Sequence, residues 1–350
     1  MLKNIFTFLF IITFFWVFSY FYWEDFFTNL DKKQENIKQE KIISWKLRDF
    51  SVEKIRELKD TEFYYTPSKK VLWAIVHKIN KAKKSVYIEV YMLTERKIKF
   101  ALFNAKKRWI DIKIILEHSP YLSKSINKKY FEEYKSAWIN IVWSNAKNYT
   151  LNHSKIILID ANELIISTGN FTASNFKYNR DLFIFSKDIK IVWAFWKIFE
   201  KDFIWEKTIL YDDSLVISPN YSRIKIEKLI NSAKNNIKIY IPYLKDKKIL
   251  NLLKEKSKNW IKIEIIMDDY GYESYEENKV GYADLHTLQV QKINKKLKMH
   301  SKAVLVDNKY LFIWSENFSA PSLDKNREMW ILLKNKEIID KINILFESDK

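Results

Sequence analysis

The sequence predicts an α/β protein built twice over from one plan, and two observations carry that prediction. The first is an internal duplication. Residues 153–181 and 300–328, laid over each other without a gap, share 12 identities in 29 positions, where roughly two would arise by chance. The second is that strand-like and helix-like stretches alternate in the same order in both halves, with strand runs apolar enough to be covered on both faces. At 350 residues the chain can hold two lobes of ordinary size.

Ile5 to Trp23 is a 19-residue run without a charge, preceded by Lys3 and closed by Glu24 and Asp25. That length spans a bilayer as a helix, and the positive flank puts the N-terminus inside and the bulk of the chain across the membrane. Residues 1–23 therefore read as one N-terminal transmembrane helix, with the remainder extracytoplasmic. The alternative is a cleaved signal peptide and a secreted protein, but no Ala-x-Ala site follows. Residues 24–60, rich in Lys, Glu, Gln and Asn, read as a polar linker.

The first repeat is expected over 61–205 and the second over 206–350. Phe63 to Pro67 reads as a short strand and turn, answered by Val216 to Pro219. Helical stretches over 71–83 and 224–234 follow. Next come strands over 85–91 and 237–243, a second helix in each half, and strands over 110–116 and 261–267. The duplicated segment comes late in each half.

That segment opens with His153-Ser154-Lys155 and Asp160 in the first copy, and with His300-Ser301-Lys302 and Asp307 in the second. Asn170 and Asn317 each lie 17 residues past their His, and Asn179-Arg180-Asp181 and Asn326-Arg327-Glu328 again fall at equal offsets. These residue types can hold and attack a phosphate. Imidazole serves as nucleophile or proton donor near neutral pH, Lys brings a fixed positive charge, and an Asn amide donates to a phosphoryl oxygen. With period-two alternation, His153 and Lys155 share one face of a strand that continues through Ile156 to Ile159.

The doubled pattern resembles the phospholipase D superfamily, through HSKIILIDANELIISTGN in the first copy and HSKAVLVDNKYLFIWSEN in the second. The resemblance covers roughly residues 60 to 350. It implies two phospholipase D-like α/β/α lobes related by a pseudo-twofold axis, with both His and both Lys facing one phosphate in the seam. It implies a covalent phosphohistidine formed on His153 and a proton donated by His300. Lys155, Lys302, Asn170, Asn317, Thr168 and Ser315 then bind phosphate oxygens, Asp181 and Glu328 orient the imidazoles, and Asp160 and Asp307 are structural. Neither a metal nor a cofactor is expected. The chain departs from the family pattern at two places: Ser167-Thr168 replaces Gly-Ser in the first copy, and Trp314 replaces Gly in the second.

Trp314 belongs to a wider anomaly. The chain has 13 Trp and 3 Gly, against about 7% Gly in ordinary proteins. Trp109, Trp138, Trp143, Trp260 and Trp330 also fall where a turn would favour Gly. UGA codons read as glycine in the cell, but as tryptophan in translating the gene, would produce this pattern; the alternative is an unusually Trp-rich protein from an AT-rich genome, which would also explain the excess of Lys, Ile, Asn, Phe and Tyr.

The chain has no cysteine, which excludes a disulfide framework and a Cys-based metal site. A net charge of +18 suits a polyanionic partner, either nucleic acid or an anionic membrane surface. The expected substrate is a phospholipid, hydrolysed or passed to an alcohol. The alternatives are a nuclease acting on DNA or RNA and a tethered phosphate-binding module without activity. His77 reads as solvated on a Lys-rich helix. His118 and His286 lie near the expected mouth of the site, and the segment from Asp268 to Glu277 reads as a surface loop.

Overall fold

The computed structural model describes residues 38, 41–120, 124–206, 210–269, 288–293, 297–314 and 318–350. The expected transmembrane stretch, the loop over 270–277, His286, Ser315 and Asn317 lie outside the described residues. Among the described residues no helix is long and apolar enough to cross a membrane. Residues 41–48 are helical and belong to a unit ending at Asp49, and Phe50 to Lys350 forms a second compact unit.

That second unit contains two seven-stranded sheets. The first is made from β1 (Thr61–Tyr65), β2 (Ser85–Val90), β3 (Asp111–Leu116), β4 (Asn140–Trp143), β5 (Lys155–Ile159), β6 (Glu163–Ser167) and β8 (Leu182–Ser186), in the order β1-β8-β6-β5-β2-β3-β4. The other uses β9 (Leu215–Ser218), β10 (Asn236–Tyr240), β11 (Lys262–Met267), β12 (Leu288–Lys292), β14 (Ala303–Val306), β15 (Tyr310–Ile313) and β16 (Glu328–Leu333). Read from its other edge it runs β9-β16-β15-β14-β10-β11-β12, strand for strand the same order. In each sheet three neighbouring strands are parallel and the others antiparallel. The duplication expected from 29 residues of motif thus extends over whole lobes.

Local sequence explains the elements. In the helix Lys69–Lys81, Ser68 caps the amide of Lys70, and Val71, Leu72, Ile75, Val76 and Ile79 form the buried stripe at helical spacing. Strand β5 is buried along its whole length, because its lobe packs helices against both faces of the sheet. Each lobe has its own apolar core, one centred on Ile88, Ile114 and Ile157, the other on Ile239, Ile265 and Val304. Phe50, Val52 and Ile55 belong to the second of these cores, and the amide and carbonyl of Leu58 both bond the Asn335 side chain. The linker expected through residue 60 therefore ends sooner, because these apolar residues have a core to enter.

Four tryptophans occupy one kind of place. Trp109, Trp138, Trp205 and Trp260 have φ of 66°, 59°, 62° and 63°. Each stands two residues past the end of a helix, at the left-handed position where glycine usually closes the helix. A side chain in that conformation costs roughly 1–2 kcal/mol. Trp143 and Trp330 differ from the turn positions expected for them. Trp143 ends β4 and stacks on Phe131 at 3.9 Å, and Trp330 lies fully buried within β16.

Candidate active site

The two motif histidines sit where the lobes exchange backbone hydrogen bonds. Strand β13 (Lys298–Met299) runs parallel to β7 (Asn179–Arg180), and Asn152 forms a matching parallel bridge with Arg327. At the ends of these contacts the His300 amide donates to the Arg180 carbonyl at 3.1 Å, and the His153 amide to the Arg327 carbonyl at 2.9 Å. Each His is therefore placed by the main chain of the other lobe. It also lies just ahead of the strand and not on it: β5 begins at Lys155 and β14 at Ala303. The strand expected through His153 starts two residues later because the seam takes the earlier amide.

The carboxylates cross the seam as well. Nδ1 of His300 lies 3.0 Å and 3.1 Å from the two oxygens of Asp181. Nδ1 of His153 lies 3.2 Å from Oε1 of Glu328. Asp181 and Glu328 are fully buried, whereas the two His side chains keep 16% and 23% exposure, His153 having the lower. With Nδ1 turned to a carboxylate, Nε2 of each ring is the nitrogen left for a substrate. Tyr91 packs edge-on against His153 at 4.7 Å.

The lysines are anchored next to the imidazoles. Nζ of Lys155 donates to the His153 carbonyl at 2.7 Å, and Nζ of Lys302 to the His300 carbonyl at 2.5 Å. Asn170 is half-buried, and its side-chain oxygen has no hydrogen-bond partner among the described residues. Thr168 takes a different role from the phosphate contact expected of it. It is fully buried, donates to Asp181 at 2.5 Å and accepts from the Leu182 amide, so it locks the carboxylate that holds His300. Gly169 sits tightly beside the same group, since a Cβ there would come within 2.4 Å of Asp181 and Asn175.

The motif aspartates face backbone. Asp160 accepts from the amides of Lys83, Lys84 and Ser85, and Asp307 from those of Lys234, Asn235 and Asn236. Each ties its hairpin to the start of the neighbouring central strand. Position 314 follows β15, and its indole is fully buried between Phe312 and Phe318, at 4.6 Å and 4.8 Å. The indole N–H has no acceptor among the described residues. His77 is exposed on its helix, and His118 packs edge-on against Trp143 and bonds Ser119.

Electrostatics separates the two imidazoles. Burial pushes His153 well below the ordinary histidine value, and Lys155, Lys302 and His300 push it further. His300 is also lowered by burial, but the Asp181 carboxylate works in the opposite direction. Burial opposes ionisation of Asp181, yet attraction to His300 wins and its pKa falls below the usual carboxylate value.

A family model described as "Cardiolipin synthase, PLD-like domain" matches residues 75–203 and again 226–350, once for each lobe. The chain belongs to the phospholipase D superfamily. The phospholipase D of Rickettsia prowazekii is 32% identical to it over 127 residues, covering 36% of this chain and 60% of that protein. A cardiolipin synthase of Clostridium perfringens strain SM101 is 21% identical over 338 residues, covering 83% of this chain and 70% of the relative. Among solved structures, a phosphatidylserine synthase of Haemophilus influenzae superposes with a TM-score of 0.67 at 13% identity, covering 84% of this chain and 86% of that one. A polyphosphate kinase of Porphyromonas gingivalis gives 0.66 at 16% identity, covering 83% and 50%. These last two likenesses are of fold. The phospholipase D superfamily chain described here spans 60% of the length of its Rickettsia prowazekii relative.

Sequence reasoning missed three features of the site. It did not find that the carboxylates act across the seam, that Thr168 serves Asp181, or that Asp268 accepts the Met299 amide at 2.9 Å, one residue before His300. The equal offsets of the acidic residues contained the signal for the first, but spacing alone does not say which imidazole each one meets.

Proposed function

We propose that this protein cleaves phosphodiesters by phospholipase D chemistry, acting on phospholipids and transferring the phosphatidyl group to water or to an alcohol. The observation that carries the reading is the pair of imidazoles, each with its Nδ1 facing a buried carboxylate and each next to a lysine. His153 is the nucleophile. Burial and its cationic neighbours keep that ring neutral, and its Nε2 lone pair attacks phosphorus. His300 is the acid, because Asp181 favours its imidazolium, and it donates the proton that the leaving oxygen takes. Neutral His300 then removes a proton from water or alcohol, which breaks the phosphohistidine bond and restores both rings.

Lys155, Lys302 and Asn170 bind the non-bridging oxygens, where negative charge builds in the transition state; Asn317 and Ser315 complete the set from the second motif. This cationic charge makes a divalent metal unnecessary. The uncharged stretch from Ile5 to Trp23 serves as an anchor that holds the catalytic part at an extracytoplasmic lipid surface. The names of the relatives, phospholipase D and cardiolipin synthase, support a lipid substrate. The net charge of +18 favours the second reading, a nuclease.

The test is the purified full-length protein in detergent, assayed in EDTA on phosphatidylcholine, phosphatidylglycerol and single-stranded DNA. Release or transfer of a phosphatidyl group is expected. DNA cleavage without lipid turnover replaces this reading with the nuclease, and turnover lost in EDTA but restored by a divalent ion overturns the mechanism.

A further inference from the structure

The residue before each orienting carboxylate is an arginine that spans the seam twice. The main chain of Arg180 accepts the His300 amide and, at 2.8 Å, the Ser301 hydroxyl. Its side chain reaches the other lobe's last helix (Lys336–Asp349), where Nε and Nη2 bind the two oxygens of Asp349 at 2.7 Å and 2.8 Å; Nη1 binds the Thr66 carbonyl. Arg327 repeats the arrangement from the other side. Its carbonyl takes the His153 amide, and its Nε binds Asp202 at 2.6 Å, on the helix Ile189–Phe203 that ends the first lobe.

We propose that Arg180 and Arg327 are positioning residues, each fixing the carboxylate that follows it against the far imidazole. The proposal rests on the phosphodiesterase reading only for its rate measurement. A buried guanidinium held by two parallel bonds has one orientation, which Lys cannot reproduce. The Arg180 clasp is complete, whereas both Nη atoms of Arg327 are buried without a hydrogen-bond partner among the described residues, its guanidinium lying over the Tyr149 ring. Loosening Arg180 therefore has more geometry to lose.

The test follows the His300 imidazole by NMR titration in the resting full-length protein, which needs no substrate. The charged groups facing His300 are Asp181, Lys302, Lys155 and His153. Arg180→Lys is expected to lower the His300 pKa in the same direction as Asp181→Asn, and the double variant to go no lower than Asp181→Asn alone. Asp349→Asn, which releases the same guanidinium from its other end, is expected to act likewise and serves if Arg180→Lys does not fold. With a phosphodiester, Arg180→Lys is expected to cut kcat by about tenfold or more with little change in KM. His300 titrating as in wild type, or shifts that add in the double variant, overturns the proposal. A wild type that turns over no phosphodiester overturns the function while the titration still tests the clasp.

A second inference stands on separate observations. The helices ending at Lys107, Ser136, Phe203 and Lys258 all close in one pattern, with the left-handed residue bonding back three residues and the next amide bonding back five. These are the paired bonds of a glycine-closed helix end. The left-handed residue is tryptophan in all four, and its side chain is at least half exposed, up to 93% at Trp109. No burial rewards the strain.

We infer that positions 109, 138, 205, 260 and 314 are glycine in the protein made in its own cell, where UGA is read as glycine. Position 314 joins the four through the motif: its counterpart Ser167 is small, and its indole N–H is buried without an acceptor among the described residues. Mass spectrometry of the protein isolated from its own source is expected to find glycine in the peptides spanning these positions, with UGA as their codons. Tryptophan in the peptides, or UGG codons, overturns the inference. As an independent check, replacing Trp109, Trp138, Trp205 and Trp260 together by glycine is expected to raise Tm; a fall also overturns it.

Discussion

The two lobes share strand order, motif and hydrogen-bonding plan, yet they give their histidines different surroundings. In the first lobe the central strand β2 places Glu89 in the core beside Asp202, and Asn152 bonds Glu89 at 3.0 Å. The same place in the second lobe, on β10, holds Tyr240, whose hydroxyl donates to Asp349 at 2.8 Å. One lobe thus buries two carboxyls near a single guanidinium, and the other buries a satisfied Tyr-Asp-Arg set. The imidazoles differ too: burial, Lys155, Lys302 and His300 all lower His153, whereas the Asp181 carboxylate opposes the effect of burial on His300. An enzyme that needs one neutral and one protonated ring requires that difference.

The largest expected effect comes from removing the histidines one at a time. His153→Ala is expected to abolish turnover and phosphoenzyme formation, a loss on the order of 10⁴-fold or more. His300→Ala is expected to lose about 10²- to 10⁴-fold with a poor leaving group, and to form phosphoenzyme slowly with a leaving group that needs no proton. Label that persists in His153→Ala and disappears in His300→Ala reverses the roles of the lobes.

The orienting carboxylates come next. Asp181→Asn is expected to lower kcat by between ~10²- and ~10⁴-fold, as for an acid that holds a catalytic imidazole. Glu328→Gln is expected to cost less, because Asp181 meets His300 with both oxygens and Glu328 meets His153 at one longer contact. Equal losses in steady-state assays would remove the asymmetry between the two halves.

Position 314 contrasts with Ser167, its counterpart in the first lobe. The Trp314 form is expected to be slower than Trp314→Gly, since the bulky indole lies three residues before Asn317 in the motif. A true core tryptophan behaves differently: its removal costs about 3–5 kcal/mol. Phosphodiesterase rate and Tm measured on both forms decide. A Trp314 form that is both faster and more stable makes the indole a native part of the second core.

The smallest effect concerns the buried carboxyl pair. Burial and Asp202 push Glu89 up from 4.5 to about 8, with Arg327 and Asn152 pulling the other way. The folded protein therefore keeps a proton between about pH 4.5 and pH 8 that the unfolded chain releases. Stability attributable to Glu89 is full below that window, falls as pH rises through it, and levels off above. Glu89→Gln is expected to flatten this fall in urea-unfolding midpoints. Parallel wild-type and variant curves would show that Glu89 is ionised throughout.

Much of this protein was legible in its sequence. The repeat set the number of lobes, and the apolar runs set the strands, because a strand covered on both faces is apolar along most of its length. Asp160 and Asp307 stood out by spacing, and the structure shows why: each serves three local amides. The Trp and Gly counts pointed to glycine positions, and the helix-end backbone located four of them, one of which, Trp205, composition had not singled out. The pairing across the seam was not legible. Whether Asp181 meets His153 or His300 depends on how two lobes dock, and equal offsets in a duplicated sequence are symmetric under that exchange. The inequivalence of the imidazoles was hidden for the same kind of reason. It arises from burial and from Lys155, Lys302 and Asp181, whose charges act on the two rings only when folding gathers them in one site and water no longer screens them.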